Sequence, residues 1–195
     1  MDLLASLGRM LGFSFAAGIN LYATTAILGL ATHYHWVDLP PQYRVFDNVW
    51  LIGAALALYV IEFAADKIPW IDSLWDAVHT VIRPLGGALI AVAAMGHVPR
   101  EAEAFIALAG AALAASTHLT KAGTRAMVNT SPEPFSNWIL SLSEDGFVVG
   151  LGLLALNYPV ATMFVVIALL AVMLAGAGWL VRRWRMMRGG SLRAA

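Results

Sequence analysis

The sequence contains no cysteine, which excludes disulfide bonds, thiol nucleophiles and cysteine-ligated metal centres. Charged side chains are scarce as well: they make up 12% of the 195 residues, whereas hydrophobic residues make up 60%. A soluble domain typically has about 25% charged and about 45–50% apolar residues. The chain has too few charged side chains to cover a water-exposed surface, which excludes a soluble enzyme and a disordered protein. This composition is typical of an all-α, polytopic membrane protein whose partner is the lipid bilayer.

An excess of charge of one sign is missing too, since Lys plus Arg and Asp plus Glu both number 12. No basic face for nucleic acid is therefore predicted. The sequence also lacks a nucleophile elbow, a P-loop, a dinucleotide-binding glycine pattern and an HExxH zinc motif. These absences predict a protein without a bound cofactor, and they make an enzyme the less favoured expectation.

Six apolar stretches are candidates for membrane-embedded helices. They cover residues 10–30, 50–61, 85–98, 104–119, 135–156 and 160–181. A simple span needs about 20 apolar residues, and the second, third and fourth stretches are shorter than that. Short stretches of this kind indicate either broken helices around a central site or helices that extend into water.

Basic residues are distributed unevenly among the predicted loops. In a six-span topology, ten of the twelve Lys and Arg fall on one side, and only Arg44 and Arg100 fall on the other. Because cytoplasmic loops carry the excess of Lys and Arg, both termini are predicted to be cytoplasmic. We expect one membrane-embedded domain with halves at 1–98 and 99–181 and a basic tail at 182–195. Three spans in each half would make the halves an inverted 3+3 repeat with broken or re-entrant helices.

Four acidic residues interrupt the apolar stretches. Glu144 and Asp145 lie about ten residues into the fifth stretch, and Glu62 and Asp66 have i, i+4 spacing at the end of the second. A charged acid at mid-membrane costs about 2.5–3.5 kcal/mol, so adjacent acids need a partner, a cavity or a bound proton. We predict that these four acids bind a substrate or an ion. The alternative is that both pairs lie at the membrane interface, where Lys67 neutralises the first.

A single amide, Asn20, lies at the centre of the first stretch. An isolated Asn in a span commonly forms a hydrogen bond between helices. Gly18 next to it allows close packing or a local break, so a role of Asn20 in substrate or ion binding is the second interpretation.

Two polar stripes with helical spacing complete the candidate residues. The acidic stripe contains Asp72, Asp76, His79 and Arg83, and the basic stripe contains His118, Lys121, Arg125 and Asn129. We expect the two stripes to face each other and to neutralise charge within the membrane. In a functional alternative, Lys121 and Arg125 line an anion or headgroup pocket. Lys67 and Glu133 are assigned to the same network or pocket.

The acidic stripe has two further interpretations. Its helix, which is predicted to end at Pro84, either lies flat in the cytoplasmic interface or dips into the membrane. Asp72, Asp76 and His79 are also weak candidates for ligands of a divalent cation.

Three strings of the sequence, GINLYAT, DKIPWIDSLWDAVHTVIRP and KAGTRAMVNTSPEPFSN, resemble a family of bacterial integral membrane proteins known as domain of unknown function 4126. The resemblance covers about residues 18–157. It implies a small protein of the bacterial inner membrane and implies no activity. EFAADK has a fainter likeness to the Glu-x-Gly-Asp-Lys box of lysine-exporter-type cation exchangers, although an extra residue separates Glu62 from Asp66 and the Gly is missing.

These observations predict a small transporter or ion-conducting protein that uses buried carboxylates for proton or cation coupling. Its substrate would be a small ion or a small molecule. The alternatives are a membrane-embedded enzyme acting on a lipid or phosphorylated headgroup, and a non-catalytic membrane scaffold. The sequence leaves association into a homo-oligomer open.

Overall fold

The computed structural model describes residues 3–130 and 135–191. Within these ranges the chain forms seven α-helices and one 3-10 helix and contains no β-strand, so the predicted all-α class is confirmed there. The α-helices are α1 (Leu3–Ile19), α2 (Leu21–His33), α3 (Val49–Ala65), α4 (Pro69–Met95), α5 (Arg100–Val128), α6 (Phe135–Asn157) and α7 (Pro159–Ser191). The 3-10 helix is Pro41–Phe46.

Four of these helices are long and apolar enough to cross a membrane. They are α4, α5, α6 and the part of α7 that covers Pro159–Arg183. Two shorter apolar helices, α1 and α3, have 17 residues each. This pattern is that of a multi-pass membrane protein in a lipid bilayer.

The first predicted span is interrupted at its centre. The structure has two helices in place of the expected single span over residues 10–30, because Asn20 adopts an extended conformation with φ −146° and ψ 100°. The Asn20 side chain accepts a hydrogen bond of 2.9 Å from the backbone N–H of Ala23 and so caps the start of α2. Asn favours this capping geometry over a helix interior because its side chain replaces a backbone partner.

The expectation that a helix ends at Pro84 is wrong, since α4 continues through Pro84 from Pro69 to Met95. The acidic stripe and the third predicted span therefore belong to one helix. Proline removes the hydrogen bond to the carbonyl of Thr80, but packed neighbours in a membrane protein make such a loss tolerable. Helices α3 and α5 likewise continue beyond the predicted stretches and include Glu62, Lys121 and Arg125.

Close contacts between helix backbones bring the polar stripes together. A Cβ atom built on Gly87 of α4 would lie 2.8 Å from the carbonyl oxygen of Gly110 in α5. A Cβ on Gly18 of α1 would collide with Thr117 and with the backbone of Ala114. Small residues allow membrane helices to approach this closely. Helices α1, α4 and α5 consequently pack against one another around the polar side chains described below.

The chain divides into two compact units, one up to Met163 and one from Phe164 onward. All the candidate site residues that the structure describes lie in the first unit. The second unit consists of the rest of α7, which is predominantly apolar up to Val181.

Candidate functional site

Charged and polar side chains from four helices converge inside the first unit, next to the break between α1 and α2. The buried members are Glu62, Asp66, Asp72, Asp76, His79, Arg83, His118, Lys121, Arg125 and Asp145. The Glu144 side chain is 14% exposed. Asp72 and Arg83 are eleven residues apart on α4, so this charge network extends over about 16 Å at 1.5 Å per residue.

Arg83 links four parts of the charge network. Its guanidinium donates to Glu62 Oε1 at 2.6 Å and to Asp76 Oδ1 at 3.3 Å. It also donates to His118 Nδ1 at 2.7 Å and to the carbonyl oxygen of Gly18 at 3.4 Å. Because Arg83 can only donate, His118 accepts at Nδ1 and carries its proton on Nε2, which lies 3.1 Å from the Asp76 carbonyl oxygen.

Lys121 contacts three carboxylates and the end of α1. Its Nζ lies 3.3 Å from Glu62 Oε1, 3.6 Å from Asp66 Oδ2 and 3.7 Å from Glu144 Oε2. It donates to the carbonyl oxygen of Ile19 at 3.1 Å. The last carbonyls of a helix have no partner within that helix, so this lysine satisfies a backbone group that the break leaves exposed.

Arg125 holds the other end of the charge network together. It donates to Asp66 Oδ2 at 2.8 Å, to Asp72 Oδ1 at 3.1 Å and, through Nε, to Glu144 Oε2 at 2.9 Å. Asn129 donates to the second oxygen of Asp72 at 2.8 Å. The acidic and basic stripes therefore contact each other, as their spacing and charge predicted.

The buried acids outnumber the cations that neutralise them. Six carboxyl groups lie in the charge network, and three cationic side chains form ion pairs with them. The carboxyls are Glu62, Asp66, Asp72, Asp76, Glu144 and Asp145, and the cations are Arg83, Lys121 and Arg125. A buried group of charges with a net negative sum is unfavourable unless protons or other cations bind to it.

Lys67 lies next to the charge network but has different contacts. Its Nζ donates to the carbonyl oxygen of Phe63 at 2.8 Å and lies 3.0 Å from the centre of the Phe63 ring. Burial lowers the pKa of the Lys67 ammonium group. In the alternative interpretation Lys67 neutralises Glu62 and Asp66; it forms no ion pair with either of them within the described residues, although the charge of Asp66 acts on it.

Asp145 is the one carboxyl of these six that has no cationic partner within 4.0 Å in the described part of the chain. Its Oδ1 accepts from Asn20 Nδ2 at 3.1 Å, and its buried Oδ2 makes no hydrogen bond of 3.5 Å or less there, although the Tyr59 side chain interacts with this carboxyl group. The negative charges of Asp66 and Glu62 act on it. Lys121 and Lys67 act on Asp145 from beyond ion-pair distance, so Asp145 is the carboxyl of the charge network that is left without a direct cationic contact in the described structure.

A face of α6 carries further polar groups that the sequence analysis did not identify. Asn137 belongs to α6 and is 2% exposed. Ser141 is fully buried. Its Oγ and both side-chain polar atoms of Asn137 have no hydrogen-bond partner among the described residues. The i, i+4, i+8 spacing of Asn137, Ser141 and Asp145 was the signal that could have revealed this face.

The weak metal candidates have other partners. Asp72 and Asp76 pair with arginines, whereas His79 Nε2 accepts from the Tyr22 hydroxyl at 2.8 Å and Nδ1 donates to the Trp75 carbonyl oxygen at 2.7 Å. Among residues 3–130 and 135–191, no group of three or more His, Asp or Glu has a geometry that could hold a metal ion. Glu133 lies outside the described residues.

The sequence of this chain matches a known protein family. The model of a family described as a domain of unknown function (DUF4126) matches residues 7–179, which includes the described site residues. No curated protein and no solved structure matches the chain. Since the family model covers most of the sequence, the chain belongs to the DUF4126 family.

Proposed function

We propose that this protein is a small transporter or ion-conducting protein in which a buried carboxyl group binds a proton or a small cation. The observation that carries the proposal is the environment of Asp145, which is buried, is acted on by the charges of Asp66 and Glu62, and has no cation within 4.0 Å among the described residues. A bound proton or cation removes the unfavourable charge, and its release restores it. Asp145 is thus the natural exchangeable site.

The other carboxyls of the charge network have a different role in this proposal. Glu62 pairs with Arg83 and Lys121, and Asp66 pairs with Lys121 and Arg125. These cations hold the four helices around Asp145 in a fixed arrangement. Lys121 and Arg125 already form ion pairs with these carboxylates, which argues against the alternative in which the two side chains bind a phosphorylated headgroup.

The break between α1 and α2 gives the site a means of responding to its occupancy. Secondary transporters commonly place discontinuous helices at their substrate sites, where exposed backbone groups face the ion. Here the carbonyls of Gly18 and Ile19 face Arg83 and Lys121, and Asn20 contacts Asp145. We propose that loss or gain of charge at Asp145 changes the angle between α1 and α2.

The proposal includes an arrangement in the membrane. If α1 and α2 together cross the membrane once and α3 crosses it despite its length, the chain has six spans. We propose that these form a 3+3 inverted repeat in the bacterial inner membrane, with both termini in the cytoplasm. The ten-to-two distribution of Lys and Arg supports this orientation.

The direct test is ion flux in proteoliposomes. Purified protein is reconstituted with a pH-sensitive dye or a dye sensitive to the membrane potential inside, and gradients of Na⁺, K⁺, Li⁺ or protons are imposed in separate experiments. We expect at least one gradient to drive proton or cation movement that protein-free liposomes lack. Absence of flux under every gradient, in vesicles shown to contain folded protein, would contradict the proposal and favour the scaffold interpretation.

A further inference from the structure

The buried face of α6 changes from polar to apolar at Asp145. Its first half contributes Asn137, Ser141 and Asp145, and its second half is lined by apolar or small residues that begin with Val148 and continue at Leu151. In the first half, the buried polar atoms of Asn137 and Ser141 and the Oδ2 of Asp145 have no hydrogen-bond partner among the described residues. Buried polar atoms are normally satisfied by protein or by ordered water, so these atoms together point to a ligand or to solvent.

The positions of these atoms form a line along the helix. Residues separated by four positions lie on the same helical face, and the eight residues from Asn137 to Asp145 span about 12 Å. Asn137 lies two residues after the start of α6 at Phe135, whereas Asp145 contacts the break between α1 and α2 through Asn20. These polar atoms therefore extend from Asn137 near the start of α6 to Asp145, the carboxyl group of the charge network without an ion pair among the described residues.

The side chains on this face of α6 favour a cation over an anion. They offer a carboxylate, a hydroxyl and an amide, all of which supply oxygen atoms that suit protons and hard cations such as Na⁺. The described cationic side chains of the charge network are paired with other carboxylates and form no ion pair with Asp145. Asn137, Ser141 and Asp145 themselves offer no positive charge to an anion, and Lys67 and Lys121 act on Asp145 only from beyond ion-pair distance.

We infer that the face of α6 formed by Asn137, Ser141 and Asp145 is a one-sided polar route by which a proton or a small monovalent cation reaches Asp145. The inference rests on the proposed function and adds to it an entry side and a substrate class. The apolar residues that begin at Val148 close the route on the far side of Asp145 in this conformation.

Cysteine accessibility tests the route, because the natural sequence has no cysteine to remove. Ser141→Cys and Asn137→Cys are made separately, and each protein is treated with a positively charged methanethiosulfonate reagent. Only a thiolate in contact with water reacts, forming a disulfide with the reagent and releasing methanesulfinate. Val148→Cys is the control for a buried position on the same face, and Leu142→Cys is the control for a position exposed on the outside of α6.

We expect both route cysteines to react on the order of tenfold faster or more than either control, because only they have access to water. At constant pH, slower modification in NaCl, KCl or LiCl than in choline chloride would identify that cation as the ion, and equal rates in all four salts would identify the proton. If Ser141→Cys and Asn137→Cys react as slowly as Val148→Cys, the route does not exist.

A second experiment uses the protein with its natural sequence, so the result does not depend on whether a variant folds. A water-soluble carbodiimide with an added amine is expected to modify Asp145 but not Asp76, whose burial is similar, as determined by mass spectrometry. An unmodified Asp145 would contradict the inference. If the protein conducts ions but these positions do not react, the proposed function stands and only the route is contradicted. If these positions react but no ion flux is measured, the proposed transport function is contradicted.

Discussion

The amide of Asn20 joins the break between α1 and α2 to Asp145. Its Nδ2 donates to Asp145 Oδ1 at 3.1 Å, and its Oδ1 accepts from the backbone N–H of Ala23 at 2.9 Å. A hydrogen bond to a carboxylate is stronger than one to a neutral carboxyl group. Protonation of Asp145 therefore weakens the contact that fixes the start of α2.

Two substitutions of Asn20 distinguish its capping bond to α2 from its hydrogen bond to Asp145. Asn20→Ala removes both the cap of α2 and the bond to Asp145, and we expect it to lower the free energy of unfolding by about 2 kcal/mol. Asn20→Ser keeps a capping oxygen, so we expect about half of that loss. Denaturant titration of the detergent-solubilised proteins measures both values, and equal stability of Asn20→Ala and the natural protein would contradict the capping role.

The ion pair between Arg83 and Glu62 is fully buried, and Arg83 Nη2 lies 2.6 Å from Glu62 Oε1. Arg83→Gln leaves Glu62 with only Lys121 as a cationic partner, and we expect it to lower the free energy of unfolding by about 3–5 kcal/mol. Adding Glu62→Gln should recover part of this loss, because it removes the buried carboxylate that has lost its arginine partner. A double-mutant cycle by denaturant titration tests the coupling, and strictly additive effects would disprove it. The exposed Arg182→Gln is the control, with an expected change below about 0.5 kcal/mol.

The crossing of α4 and α5 depends on glycine at Gly87. A methyl group there would contact the Gly110 carbonyl oxygen and the Ala114 side chain, so Gly87→Ala is expected to lower the free energy of unfolding by about 1–3 kcal/mol. Gly123→Ala on α5 is the matched control, because within residues 3–130 and 135–191 its new Cβ has no neighbour within 4 Å apart from its own helix. It should be neutral or stabilising by up to about 1 kcal/mol, since Ala is the better helix former. A Gly87→Ala protein as stable as the control would contradict the close approach.

The proposed topology is tested by reporter fusions. Fusions after Val37, Arg100 and Ala195 are expected to report periplasmic, periplasmic and cytoplasmic positions, respectively, because the proposed topology assigns ten of the twelve basic residues to the cytoplasmic side. A periplasmic C-terminus would contradict the six-span scheme and the inverted repeat with it.

The sequence was informative about which residues belong to the charge network. Charged side chains are costly in an apolar segment, so their presence in one signals a partner or a function. The spacing of Asp72, Asp76, His79 and Arg83 placed them on one helical face, and the structure brings this face against His118 and Arg125. These features could be predicted because they depend on local periodicity alone.

The individual pairings and the helix ends could not be predicted in this way. Asp76 pairs with Arg83 on its own helix, and Glu62 pairs with residues on two other helices. The break at Asn20 and the continuation of α4 through Pro84 depend on which neighbouring helices satisfy the backbone. Such tertiary contacts leave no periodic signal in the sequence.

The central claim is that Asp145 is the exchangeable carboxyl, and the most direct measurement compares Asp145→Asn with Glu144→Gln in the flux assay. The two acids are adjacent, but Glu144 pairs with Arg125 and Lys121, whereas Asp145 has no cationic partner in the described structure. We predict that Asp145→Asn inserts and folds but loses pH-dependent flux, while Glu144→Gln is less stable and retains it. Full pH-dependent flux in the Asp145→Asn protein would contradict the account.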